Sequence, residues 1–252
     1  MKGDARVKIT TQDTGKSLEV ELNAKQKEVS ATANEYLKLR PMILQMSCYA
    51  RGDGAAICMQ GDTVISAQAT GPAEVKLQKE IMDKATIEVI FRTKSTGTGG
   101  NYVLLEKSVR DACETAILTT LHPRSAISII LLEMQNYGSL LSCCLNACCL
   151  ALLDAGVPMN STFAAVTIGI SKDDDLIVDP DDTQEEECES LLTFAFESQN
   201  LELVASHADG QFTAETFIKC MKLACEISQE IFQEFRKCVK KQHIEIEKEG
   251  PT

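Results

Sequence analysis

Long apolar runs, positive charge and histidine are all scarce in this sequence. No run of about eighteen apolar residues occurs, so no membrane-spanning helix is expected. The opening MKGDARVKITTQDTGKSLEVEL has no apolar core segment of the kind a secretory signal needs, so export is not expected either. Lys and Arg number 25 against 37 Asp and Glu, a formal net charge of −12 over 252 residues. Nucleic-acid affinity depends on neutralising phosphates, so a chain this acidic is a poor unaided binder of RNA or DNA. It can still line part of a basic channel built with other chains. The carboxylates concentrate in 173–189 and 245–249. There is no tandem repeat of solenoid period and no basic import cluster.

Cysteine, by contrast, is plentiful: 11 residues, an odd number. Without a secretory signal, this places the chain in a reducing compartment with its thiols free. The stretch GSLLSCCLNACCLALLDAGVPM (138–159) packs Cys143, Cys144, Cys148 and Cys149 into one helical segment, 139–154. On a helix only Cys144 and Cys148 share a face, at i and i+4. Structural zinc needs four ligands around one point, and His122, His207 and His243 are all distant in sequence. Neighbouring cysteines on a helix are also badly placed to pair with each other. Buried packing is therefore the expected role, with small side chains permitting close approach of a neighbouring helix or sheet. A zinc or thiol sensor remains the rival and would carry stoichiometric zinc.

Along the chain, residues 1–36 read as a polar extension with short strand-like stretches, ARVKIT and LEVEL. The folded domain is expected over 37–244, and 245–252 as an acidic, solvated tail. Residues 42–70 read as strand, turn, strand, with turns at Asp53-Gly54 and Gly61-Asp62. Arg51-Gly52-Asp53 fits a hairpin turn better than an integrin ligand, since no secretion signal precedes it. TIEVIFR (86–92) is a strand and STGTGG (95–100) a flexible loop. A helix follows over about 103–120, with Leu105, Val109, Ala112, Ala116 and Ile117 on one side. SAISIILLEM (125–134) is a buried strand. Four successive strands are expected within 163–207, separated by turns at the acidic stretches. A long helix runs from about 213 to 242, with Thr213 as N-cap. Its apolar face is Phe217, Met221, Ala224, Cys225, Ile231, Phe232, Phe235 and Val239. The order is strands, helix, strand, helix, strands, helix, an α+β architecture rather than a regularly alternating parallel sheet.

The block LRPMILQMSCYARGDGAAICMQGDTVISAQATGPAEVK, followed by LHPRSAISIILLEMQNYGSLLSCCLNACCLALLDAGVPM, resembles the RNase PH-like family, and more narrowly its members in the ring of the eukaryotic RNA exosome. The resemblance covers about 39–242. It implies an RNase PH-like fold of two split β-α-β halves ending in a long C-terminal helix. Active relatives attack the 3′ end of RNA with inorganic phosphate. Their phosphate loop reads Gly, Thr or Ser, Arg, Thr or Ser. Here the loop is Gly138, Ser139, Leu140, Leu141, with leucine at the arginine position. Losing a guanidinium that grips phosphate with two hydrogen bonds should remove much of the anion affinity. A helix N-terminus alone supplies only about 0.3–1 kcal/mol at an exposed site.

Active relatives also carry a basic segment after the strand ending at Arg92. Here glycine and threonine replace most of it, leaving Arg92, Lys94, Lys107 and Arg110. Arg92, Lys94 and Arg110 are the candidates for RNA contact, against the plainer reading of a solvated rim. The family's acidic site maps to Asp179, to the vicinity of Glu185, and to Leu191 or Glu189. Asp179, Asp181 and Glu185 therefore form a degenerate acidic site, read here as turn residues around Pro180 followed by a solvated charge run. The resemblance thus implies a non-catalytic ring subunit with no cofactor or metal. Its partners would be other RNase PH-like ring subunits, cap proteins, RNA in a shared channel and a separate nuclease. Its location would be nucleus, nucleolus and cytoplasm. The rival is a homo-oligomeric nuclease in which Asp179, Asp181 and Glu185 hold magnesium or manganese to activate water.

Overall fold

Alternating side chains build the first sheet. In a computed structural model that describes residues 38–48, 52–75, 78–93, 102–172 and 174–249, strands β1 (Met42–Met46), β2 (Gly54–Gln60) and β3 (Thr63–Glu74) form an antiparallel meander. β4 (Thr86–Arg92) and β5 (Ser125–Gln135) complete it in the order β1-β2-β3-β5-β4. β4 and β5 run parallel, joined by helix α1 (Val103–Ala116). Ile87, Val89 and Phe91 of β4 and Ile127, Ile129 and Leu131 of β5 point into the core, the period of two expected of a sheet with one buried face.

Helix α2 (Leu140–Asp154) occupies the centre. It packs on β2 and β3 on one side and on β6 (Phe163–Ser171) on the other, with α1 also against it. Every residue from Ser142 to Leu152 is buried, as a helix that is apolar all round must be. Small side chains allow the close approach. A Cβ on Gly54 would come within 2.2 Å of the Ala155 nitrogen and 2.5 Å of the Ala151 oxygen, so β2 can pass α2 only as glycine there.

The second sheet is antiparallel, in the order β7-β6-β8-β9, from β7 (Leu176–Val178), β8 (Cys188–Glu197) and β9 (Leu203–Gly210). A short helix, α3 (Asp182–Glu187), links β7 to β8, and α4 (Ala214–Glu249) packs on β6, β8 and β1. Leu39–Thr252 forms one compact unit, and a single apolar core joins both sheets, α1, α2 and α4. No described helix is long and apolar enough to cross a membrane.

Most expected elements are present, with three differences. The first helix stops at Ala116 because Ile117 turns extended and bridges to Met159, leaving a 3₁₀ turn at Thr119–Leu121. The acidic run is not merely turns and solvated charge, since α3 forms within it. Finally, α4 continues past 242 to Glu249, through residues expected to be tail. Thr213 does cap it, its hydroxyl accepting from the Thr216 N–H at 3.2 Å. The helix also buries Cys220, Ile227 and Ser228, which the expected apolar face omitted. The strand-like stretches of 1–36 and the 95–100 loop lie outside the described residues.

Candidate functional site

The two sequence blocks that carry the resemblance meet in space. β5 ends at Gln135, and Asn136 to Ser139 lead into α2. Thr63, closing the Gln60-Gly61-Asp62-Thr63 turn, donates its hydroxyl to the Gly138 carbonyl at 2.7 Å and accepts from the Tyr137 N–H at 3.1 Å. Gly138 takes φ 88°, and a Cβ there would meet the Pro180 carbonyl oxygen at 2.5 Å. Only glycine lets this loop lie against 180–182.

A second anchor comes from Arg40, a residue that sequence reasoning did not single out. Its Nε and Nη2 donate to the two oxygens of Asp179 at 2.8 and 2.6 Å, a bidentate pair. Nη1 donates to Asp181 Oδ1 at 2.7 Å and to the Tyr137 carbonyl at 2.9 Å. Burial works against the Arg40 charge, but the hydrogen bonds and charges of Asp179 and Asp181 prevail and push its pKa up. Asp179 is 1% exposed, with a left-handed backbone at φ 55°. Asp181 caps α3 in a reciprocal box with Gln184, which explains why the acidic run coils here.

Glu185, on α3, faces the phosphate loop. Its Oε1 accepts the Ser139 N–H at 2.6 Å. Ser139 itself is buried, and its hydroxyl donates to the Pro180 carbonyl at 3.0 Å. Desolvation raises the Glu185 pKa, partly opposed by that Ser139 hydrogen bond. The N-terminus of α2, where an anion would be expected, thus already faces a carboxylate of the chain itself.

Beside it lies a cavity of about 270 Å³. Leu104 and Leu105 of α1, Leu140 and Leu141 of α2, and Leu191 of β8 line it, with Tyr102, Ser108, Thr167, Thr193, His207, Asp209, Ser139 and Glu185. Thr167 and Thr193 share a hydrogen bond of 3.0 Å. No Lys or Arg is among the lining residues. His207 and Asp209 were not anticipated as neighbours of this loop, because nothing in a strand pattern says which loop its far end will face.

Two of the expected acidic residues therefore come together on Arg40, while Glu185 turns to the Ser139 N–H at the start of α2. Among the described residues no three His, Cys, Asp or Glu side chains are grouped as ligands. Asp179 and Asp181 do flank Pro180 outside any helix or strand, as turn residues would, but Asp179 is buried and both are paired with Arg40. Of the candidate RNA contacts, Arg92 and Arg110 are described. Arg92 is exposed at the end of β4, on the face opposite the inward Phe91. Arg110, on α1, lines a cleft along β4 with Glu88 and Glu114, and its Nε is buried without a hydrogen-bond partner. Lys94 lies outside the described residues.

The helix cysteines are all buried. Cys148 Sγ sits 3.3 Å from Cys113 Sγ on α1, and Cys143 donates to the Cys58 carbonyl at 3.5 Å. Burial pushes the Cys149 thiol up to about 12, which disfavours the thiolate that reacts with oxidants and metals.

Comparison with known proteins agrees with this architecture. Family models for the 3′ exoribonuclease family match residues 38–158 (domain 1) and 161–227 (domain 2). The exosome complex component RRP46 of Saccharomyces cerevisiae is 30% identical over 200 residues, covering 74% of this chain and 90% of the yeast protein. The exosome complex exonuclease RRP46 homolog of Oryza sativa is 28% identical over 221 residues, covering 81% and 93%. The crystal structure of rice Rrp46 superposes with a TM-score of 0.74 at 30% identity, covering 79% of this chain and 95% of that one. With its RNase PH-like α+β fold, its long C-terminal helix and these matches, the chain belongs to the 3′ exoribonuclease family of RNase PH type.

Proposed function

We propose that this chain is a non-phosphorolytic structural subunit of an RNA exosome ring, of the exosome component five type. It helps to form the channel through which RNA passes to a separate nuclease, beside other RNase PH-like subunits and cap proteins, in nucleus, nucleolus and cytoplasm. Arg92, Lys94 and Arg110 are its channel-side candidates. The observation that carries the reading is the Glu185 carboxylate on the Ser139 N–H at 2.6 Å, at the one place where phosphate would be held. A phosphate entering there meets a like charge, five leucines and no Lys or Arg in the lining. Repulsion between anions in a partly desolvated site opposes the helix terminus, which offers at most about 2 kcal/mol even when partly buried.

The rice relative's name contains exonuclease, which keeps the catalytic rival in view. For a metal route, both Asp179 oxygens and one Asp181 oxygen are already held by Arg40, so a divalent cation would have to displace a guanidinium. The test is incubation of purified full-length protein with end-labelled oligoadenylate, with inorganic phosphate or with magnesium or manganese. No nucleoside diphosphate release and no shortening is expected. Phosphate-dependent release would overturn the non-phosphorolytic reading. Metal-dependent shortening that disappears on Asp179→Ala, Asp181→Ala or Glu185→Ala would establish the rival.

A further inference from the structure

A second cavity, of about 370 Å³, lies far along α4 from its capped end, where that helix passes the end of α2. Leu153, Phe232, Phe235 and Val239 give it an apolar floor, and Arg236 and Lys240 stand on its rim. The two cations are exposed and sit at i and i+4, on one side of the helix. Neither has a carboxylate within 4.0 Å among the described residues, whereas Lys237 between them is paired with Glu234 at 2.7 Å. Glu197, next in sequence to the lining residue Ser198, is engaged locally by Ser161 and Asn200.

This is an unusual concentration of charge for a chain of net −12. Residues 236–241 read Arg-Lys-Cys-Val-Lys-Lys. The ordinary explanation is compensation of the helix dipole, an effect confined to the last turn. α4 runs to Glu249, so Arg236 and Lys240 lie more than two turns short of its end. The dipole does not account for them.

We propose that this groove docks a short acidic and apolar peptide segment of another protein. An aliphatic or aromatic side chain enters the floor, and flanking Asp or Glu carboxylates meet Arg236 and Lys240. The cavity is of the size that takes small ligands and side-chain anchors, and an apolar groove with a charged rim is a common way to hold an amphipathic segment. RNA fits less well. Single-stranded RNA wants open aromatic faces for stacking, but Phe232 and Phe235 are 5% and 3% exposed, too little ring for a base, and the half-buried aliphatic Leu153 and Val239 supply most of the open floor. This assignment stands apart from the ring-subunit reading and uses no residue of the degenerate phosphate loop.

The experiment pans a random phage-displayed peptide library against immobilised full-length protein. Enriched peptides are then measured by fluorescence anisotropy against wild type, Arg236→Glu/Lys240→Glu and Val239→Trp, with labelled oligouridylate in parallel. Charge reversal on an exposed rim leaves the fold intact, and the bulky substitution fills the groove independently. The expected result is enrichment of peptides mixing Asp or Glu with Leu or Phe. Both variants should weaken their binding by about tenfold or more, and the electrostatic share should fade as salt rises. No enrichment, enriched peptides without acidic residues, or equal binding to both variants would overturn the proposal. So would oligouridylate binding that the charge reversal abolishes, which would make the rim an RNA contact.

Discussion

Asp179 is a buried carboxylate in a left-handed backbone, and both of its oxygens are answered by Arg40. Taking away one member of such a pair leaves the other charged and unsolvated, which costs about 3–5 kcal/mol. Arg40→Met should therefore lower the unfolding free energy by that amount, seen as a lower urea midpoint with an unchanged slope. The double variant Arg40→Met/Asp179→Asn should recover much of the loss, because no charge remains buried and asparagine tolerates positive φ. If Arg40→Met unfolds at the wild-type midpoint, the pair does not hold the loop. Legibility at this scale is uneven for a physical reason. Leu140 announces the missing guanidinium from sequence alone, since the loop around it is contiguous. Arg40 does not announce itself, because its partners lie 139 and 141 positions along the chain and one arginine before a proline carries no periodic signal.

The elements of this fold differ in how far their own residues specify them. α2 is readable as a buried helix because its apolar residues run without a polar face. α3 is not, since its six residues, DTQEEE, have no apolar period; the Asp181–Gln184 spacing of a capping box was the available signal. The far end of α2 depends on a tertiary device. Asp154 sits at the negative end of the helix dipole, an unfavourable place for a carboxylate. Four donors hold it there: the Ala55 N–H at 2.8 Å, the Ser47 N–H at 3.1 Å, the Ser47 hydroxyl at 2.6 Å and the Gln242 amide at 2.9 Å. Gln242 also donates to the Ser47 hydroxyl. One carboxylate thus ties β1, β2 and α4 to α2. Burial raises its pKa, but the hydrogen bonds from Ser47, Ala55 and Gln242 prevail and lower it. A depressed carboxylate stabilises the fold above its unfolded pKa of about 3.9, and that stability is lost as pH falls through the folded value. Asp154→Asn should cost about 1.5 kcal/mol at pH 7, the low end for hydrogen bonds to a charged group because the site is partly exposed. The gap between variant and wild type should then narrow below about pH 4, as wild-type Asp154 protonates too. Urea midpoints at both pH values read this directly, and a gap independent of pH would mean that the charge of Asp154 contributes nothing.

At the scale of the whole molecule, the first sheet covers its inner face with α1 and α2 and leaves its outer face apolar. Ile90 pairs with Ile130 across β4 and β5, and Leu132 and Met134 continue the same face of β5. Together with Ile43 on β1 they are between 36% and 56% exposed. Single exposed apolar side chains need no explanation, but neighbours on one sheet face are more than an isolated monomer requires. A ring subunit requires an apolar surface for its neighbour, because permanent interfaces are large and resemble a core cut in half. Placing this face in the ring contact gives a definite expectation for Ile130→Glu/Leu132→Glu. Both positions are only partly exposed in the free chain, so the monomer should stay folded at a cost of about 1–2 kcal/mol. In the assembly the same carboxylates would be buried without partners, so the variant should be lost from the hetero-oligomer when complexes are recovered from cells and weighed by native mass spectrometry. An unchanged hetero-oligomer would move the ring contact to another face. A wild-type complex containing this chain alone would go further, removing the ring itself and returning Asp179, Asp181 and Glu185 to consideration as a working site.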